Sequence, residues 1–231
     1  MTTTRVFLGA LLLMGCPGVV GSGRPATETR TIGAFRTVRV ESGFRVTVTK
    51  GERALSVTAD DNVISLVETV VEGERLVLRL KQGTTLSSTA GVTAALTTDV
   101  LEGVDASGGA RVTGPVSAVA TFPVVASGGA EVNLTGLQSS LVTVEASGGS
   151  TATLAGTTTE ARLQAGGGAT VITRDLAATK VTVEVSGGSE ARVSASNEVS
   201  GTASGGSTVV VSGNPATVSV STSGGSTVTR N

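Results

Sequence analysis

Two glutamates, an acidic doublet and a single cysteine are the side chains whose placement could do chemistry in this sequence. Glu145 and Glu184 fall at one outward strand position, two repeats apart, with Gln164 between them and Val125 before them. Paired carboxylates supply the acid and base of glycoside cleavage when they converge across a groove. A β-ladder would hold these two about 10 Å apart, so solvation of a strand face is the reading adopted and no catalytic residue is assigned. Asp60-Asp61 stands before Asn62. Such a doublet can hold a hard cation, but Asp and Asn also build turns, and the turn is preferred. No metal site and no cofactor are expected. The chain has no histidine, which removes the commonest general base, the commonest metal ligand and every Ser-His or Cys-His dyad.

The cysteine reads as an address. Arg5 and the α-amino group precede an apolar run from Val6 to Gly15, and Cys16 is the only cysteine in the chain. The run is too short for a membrane-spanning helix, which needs roughly 20 residues, and it fits a signal peptide. Leu13-Met14-Gly15-Cys16 resembles a bacterial lipoprotein signal, in which the cysteine becomes the lipidated N-terminus. An ordinary secretory peptide cleaved after Gly21 or Gly23 is the alternative. Pro17, rather than Asp, follows Cys16; by resemblance to lipoprotein sorting this does not favour inner-membrane retention. An outer-membrane lipoprotein, facing the periplasm or the surface, is expected. No disulfide can form in the mature chain.

Composition removes other functions. The 17 basic and 18 acidic residues leave a net charge of −1, and there are four Phe, no Tyr and no Trp. There is no basic field for nucleic acid and no set of flat faces for stacking bases or sugars. Gly reaches 32 residues, and the rest is rich in Val, Thr, Ala and Ser. Val and Thr favour strands and Gly supplies turns.

The elements that must position these side chains follow from a repeat. Ser-Gly-Gly recurs at Ser107-Gly108-Gly109, Ser127-Gly128-Gly129, Ser147-Gly148-Gly149, Ser186-Gly187-Gly188, Ser204-Gly205-Gly206 and Ser223-Gly224-Gly225, with Gly166-Gly167 standing in once. Aligned on this corner, one apolar column runs Val112, Val132, Ala152, Val171, Ala191, Val209, Val228. Two more precede the next corner: Phe122, Val142, Ala161, Val181, Val199, Val218, and Val124, Val144, Leu163, Val183, Gly201, Val220. Polar residues alternate with them, which is the period of a strand. Turn residues at Gly114-Pro115, Gly136, Gly156, Arg174-Asp175, Ser196-Asn197 and Gly213-Asn214-Pro215 predict breaks in mid-coil.

Stacked coils of about 19–20 residues then form parallel ladders, an all-β solenoid. The glycine corners are structural, because the chain turns sharply where neighbouring coils crowd. The Ser column beside them is expected to satisfy backbone groups at the bend. The Asp that calcium-binding nonapeptide repeats need after the glycines is missing, since Ala or Ser follows instead. The predicted organisation is a signal peptide over 1–16, a flexible tether over 17–30, an irregular β N-terminal cap over 31–105, and the Ser-Gly-Gly solenoid over 106–231. Within the cap, residues 62–71 are open to a short helix or a bent strand.

Three stretches and the repeat that follows carry a family resemblance. They are Phe35-Arg-Thr-Val-Arg-Val-Glu-Ser-Gly-Phe-Arg-Val-Thr-Val-Thr-Lys-Gly, Ala59-Asp-Asp-Asn-Val-Ile-Ser-Leu-Val-Glu-Thr and Glu74-Arg-Leu-Val-Leu-Arg-Leu. Leu101-Glu-Gly-Val-Asp-Ala-Ser-Gly-Gly then leads into the coils. Together, over about residues 33–228, they resemble the putative auto-transporter adhesin, head GIN domain family. The resemblance implies a right-handed parallel β-helix, a periplasmic or surface location and no catalytic residues. No translocator barrel follows the repeats, so self-secretion is not expected.

The leading function is a non-enzymatic, envelope-anchored protein with a binding, adhesive or structural role. Its partners would be the membrane, through the lipid, and an envelope polysaccharide or protein; nucleic acid is not expected. A polysaccharide-binding or polysaccharide-degrading β-helix is one alternative. A self-assembling scaffold, a homo-oligomer joined by end or edge stacking, is the other.

Overall fold

The computed structural model describes residues 18–86 and 91–231. The apolar leader and Cys16 lie outside the described residues. Apart from one 3-10 turn at Ile64–Leu66, the regular elements described are strands. In the second half these are β8 (Gly103–Ala106), β9 (Arg111–Pro115), β10 (Thr121–Ala126), β11 (Glu131–Ser147), β12 (Thr151–Gly166), β13 (Thr170–Val185), β14 (Glu190–Ala203), β15 (Thr208–Gly213), β16 (Thr217–Thr222) and β17 (Thr227–Arg230).

The coils stack in parallel, as the columns require. Val112, Val132, Ala152, Val171, Ala191, Val209 and Val228 pair side by side, and all but Val228 are buried. Phe122 to Val218 and Val124 to Val220 pair likewise. Each fully buried Val or Leu contributes about 1.5–3 kcal/mol, and the alanines in the columns keep each coil thin. Gly201 interrupts its column for a steric reason. Its φ is +135°, and a Cβ there would lie 1.9 Å from the Val183 carbonyl oxygen.

The mid-coil breaks take two forms. Pro115 ends β9, and Gly213 ends β15 before Asn214-Pro215, because proline cannot donate to the ladder. At Gly136, Gly156, Arg174-Asp175 and Ser196-Asn197 the strands instead run through. The register there slips, between Leu134 and Leu137, Thr153 and Ala155, and Thr173 and Ala178. These are bulges that bend a continuous strand.

The first half departs from the irregular cap. It holds β1 (Pro25–Arg30), β2 (Thr37–Val40), β3 (Arg45–Thr49), β4 (Ala54–Asp60), β5 (Val67–Glu72), β6 (Arg75–Leu80) and β7 (Thr93–Thr97). β2 and β3 flank a corner at Ser42-Gly43 and pair in parallel with β8 and β9. On their other side they pair in parallel with β6 and β7. Residues 37–49 are therefore a solenoid layer wedged between two layers that come later in the chain. Only beyond them does the structure turn antiparallel, with β5 on β6, β4 on β7 and β1 on β4. The 62–71 stretch resolves into the 3-10 turn followed by β5.

Candidate functional site

The corners come first, because they set the faces. Each glycine pair sits at positive φ, from Gly108 (+62°) and Gly109 (+79°) to Gly224 (+61°) and Gly225 (+78°). The pairs stack backbone on backbone: a Cβ on Gly148 would lie 3.3 Å from the Gly128 nitrogen. In the fourth corner the pair is Gly167-Gly168, while Gly166 pairs with Ser147 in the serine column. Ser42, at φ +61°, takes the first glycine's place in the 37–49 layer. The hydroxyls that satisfy the bend belong to the residue after the pair. Buried Ser150 donates to the Ala126 carbonyl (2.9 Å), Ser189 to the Ser186 carbonyl (2.7 Å) and Ser207 to the Val185 carbonyl (3.1 Å). The sequence points instead to the serine before the pair, because serine fills that column at six corners while Ala110, Ala130 and Ala169 interrupt the column after it.

On the outward face just before the corner, Glu145, Gln164, Glu184 and Thr202 pair in register across β11 to β14. With Val125, Ser147, Ser186 and Ser204 they line a groove of about 510 Å³. Gln164 donates its amide to Glu184 at 3.0 Å. Two ladder steps separate the glutamates by about 10 Å. Retaining glycosidases hold their carboxyls about 5–5.5 Å apart and inverting ones about 6.5–9.5 Å. With Gln164 filling the place between, this is a hydrogen-bonding ladder rather than an acid and base.

The charge pattern singles the groove out. The other carboxylates from residue 103 onward each have a basic partner. Asp105 meets Arg39 (3.6 Å), Glu160 meets Arg162 (2.8 Å), Asp175 meets Arg174 (3.5 Å), Glu190 meets Arg192 (2.7 Å), Glu198 meets Lys180 (3.3 Å), and Glu131 meets Arg111. The hydrogen bond that Arg192 donates to Glu190, then the charge of Glu190, raises Arg192 above the ordinary arginine pKa. Among these described residues only Glu145 and Glu184 lack a cation within 4.0 Å.

Asp60 and Asp61 do something the sequence did not announce. Gly23 N–H donates to Asp60 Oδ2 (3.1 Å), the Ser22 hydroxyl to Asp61 Oδ1 (2.5 Å) and Ser22 N–H to Asn62 Oδ1 (3.0 Å). Asn62 Nδ2 donates to the Val20 carbonyl (2.8 Å), and Asp61 N–H to the Arg24 carbonyl (2.9 Å). The triplet clasps residues 20–24 to the cap, and β1 continues the attachment. This corrects the flexible tether: Gly/Pro-rich composition is overridden by partners some 40 residues away. Among the described residues no group of three or more Asp, Glu, His or Cys could hold a metal ion.

Comparison with known proteins places this geometry. The family model for the putative auto-transporter adhesin, head GIN domain, matches residues 34–215. Similar solved structures include a putative adhesin from Bacteroides fragilis, at 19% identity and TM-score 0.84, covering 93% of this chain and 100% of that one. A putative lipid binding protein from Parabacteroides distasonis matches at 20% identity and TM-score 0.68, over 92% of this chain and 99% of its own. A putative adhesin from the same organism matches at 16% and 0.72, over 93% and 100%. At these identities the likeness shows the shared β-solenoid fold. No curated protein matches the chain. With the family model covering most of its length, the chain belongs to the putative auto-transporter adhesin, head GIN domain family.

Proposed function

We propose that this is a non-enzymatic protein of the bacterial cell envelope, anchored by lipid on Cys16, that binds an envelope polysaccharide through the groove face of its coils. The observation that carries the reading is the pair of uncompensated glutamates, Glu145 and Glu184, lining a groove on a face whose other carboxylates are ion-paired. Desolvating a carboxylate is costly unless a partner replaces water. Such groups left open along a ladder are available to a ligand rich in hydrogen-bond donors. Hydroxyls of a polymer lying along the rod would meet Glu, Gln and Ser acceptors once per coil, every 4.7–4.9 Å or so. Family membership and relatives that carry the adhesin name support binding over catalysis. Among the described residues no helix is long and apolar enough to cross a membrane.

The lipid anchor has its own test. Mass spectrometry of the membrane-extracted protein should show an acylated N-terminal Cys16, and Cys16→Ser should release the protein from membranes. A wild-type N-terminus without lipid contradicts the anchor and leaves the groove to be tested separately.

A further inference from the structure

Where chain order departs from stacking order, one edge of the solenoid is left open. After β3 the chain leaves for the cap. After β7 it must pass the edge of the 37–49 layer to reach β8. Residues 98–102 make that crossover. Thr98 N–H donates to the Thr49 carbonyl (3.0 Å), Gly51 N–H to Thr98 (3.3 Å) and Glu102 N–H to Arg36 (2.7 Å). In the repeats the same edge is closed by β11 and β12 running through Gly136 and Gly156. Here it opens into a pocket of about 460 Å³ lined by Phe35, Arg36, Arg53, Glu74 and Val100.

The lining is divided in character. Phe35 forms an apolar floor, 6% exposed, and Val100 stands 41% exposed at the crest of the crossover. Arg36 is committed, donating to Glu74 (3.1 Å) and to Glu102. Arg53 is not: its guanidinium lies 5.9 Å from the Phe35 ring centroid, and no carboxylate reaches it within 4.0 Å among the described residues. A guanidinium offers a fork of donors matched to planar or tetrahedral anions. Pockets with an apolar floor and one placed charge are the usual form of small-ligand sites.

We infer that this pocket binds a small amphipathic anion, its carboxylate, sulfonate or phosphate on Arg53 and its apolar part against Phe35 and Val100. A neutral apolar ligand gains nothing from Arg53, and a cation is repelled by Arg53, while the charge of Arg36 is already met by Glu74 and Glu102. The site is opposite in charge to the Glu145–Glu184 groove and does not rest on the polysaccharide reading.

The test uses the full mature chain and two probes that differ by one charge, anilinonaphthalene sulfonate and phenylnaphthylamine. The sulfonate should bind saturably at one site. Arg53→Gln should weaken it roughly tenfold or more, the loss of a charge-assisted contact. Val100→Asp should do the same by putting a carboxylate at the rim. Both side chains are exposed, and melting curves matching wild type verify folding. Phenylnaphthylamine should be indifferent to Arg53→Gln. Displacement of the sulfonate by decanoate assigns the natural ligand to a free amphiphile; displacement only by phosphatidylglycerol vesicles assigns it to a lipid in a bilayer. Absence of saturable sulfonate binding, or equal binding by the folded Arg53→Gln protein, overturns the inference.

Discussion

At the scale of single residues, backbone conformation decides more than side-chain chemistry. Ser42 carries a side chain at φ +61°, where its counterparts in the other corners are glycine. Left-handed backbone costs a residue with a Cβ about 1–2 kcal/mol. Ser42→Gly should therefore raise stability by up to about 1 kcal/mol, part of the relief being lost to the greater freedom of glycine in the unfolded chain. Gly148→Ala should lower it by about 1–2 kcal/mol; urea melts of the two variants should move in opposite directions. Ser150→Ala should cost about 1 kcal/mol, the net worth of its hydrogen bond to Ala126. The loss stays small because Ala already occupies that place at positions 110, 130 and 169. The glycine corners were legible because few residues tolerate positive φ. Which serine turns its hydroxyl into the bend was not, since a column of small polar residues says nothing about where an Oγ points.

At the scale of elements, the repeat columns transferred to the fold strand by strand, because parallel in-register stacking makes equivalent positions physical neighbours. Even the glycine in the Val183 column has its reason. Gly201→Ala would drive a methyl against the Val183 carbonyl and should cost about 3 kcal/mol, the upper range for overpacking, read as a drop in the thermal midpoint. Residues 37–49 were harder to place. Alternation identified β2 and β3 as strands, but their ladder partners β8 and β9 lie beyond the 50–102 excursion, and periodicity carries no information about such pairings. The clasp was hidden for the same reason. Asp61→Ala should loosen residues 20–24, so that amide hydrogen exchange at Ser22 and Gly23 is faster than in the wild type while the coils stay protected; unchanged exchange would mean that Asp60, Asn62 and β1 hold the segment without it. A protein shortened to begin at residue 24 would lack the Ser22 and Gly23 contacts, so binding work calls for the chain that retains them.

At the scale of the whole molecule, a thin Val/Ala core forms a rod whose outer columns are free to vary while the corners hold register. Ion pairs along coil neighbours, such as Lys180 with Glu198 across β13 and β14, are exposed and contribute little to stability. Their effect is to leave the coils from residue 103 onward nearly neutral, with Glu145 and Glu184 the carboxylate side chains there that no cation reaches among the described residues. Sequence columns had already put these two glutamates at one outward position. The missing basic partners, which make the pair distinctive, depend on side-chain reach and needed the structure. The account is tested most directly by titrating envelope polysaccharide fractions against the mature lipidated protein and against a Glu145→Gln/Glu184→Gln variant. It predicts saturable binding by the wild type, weakened roughly tenfold or more in the variant as charge-assisted hydrogen bonds are lost. Equal binding by both proteins, or no binding by the wild type to any fraction, would contradict it.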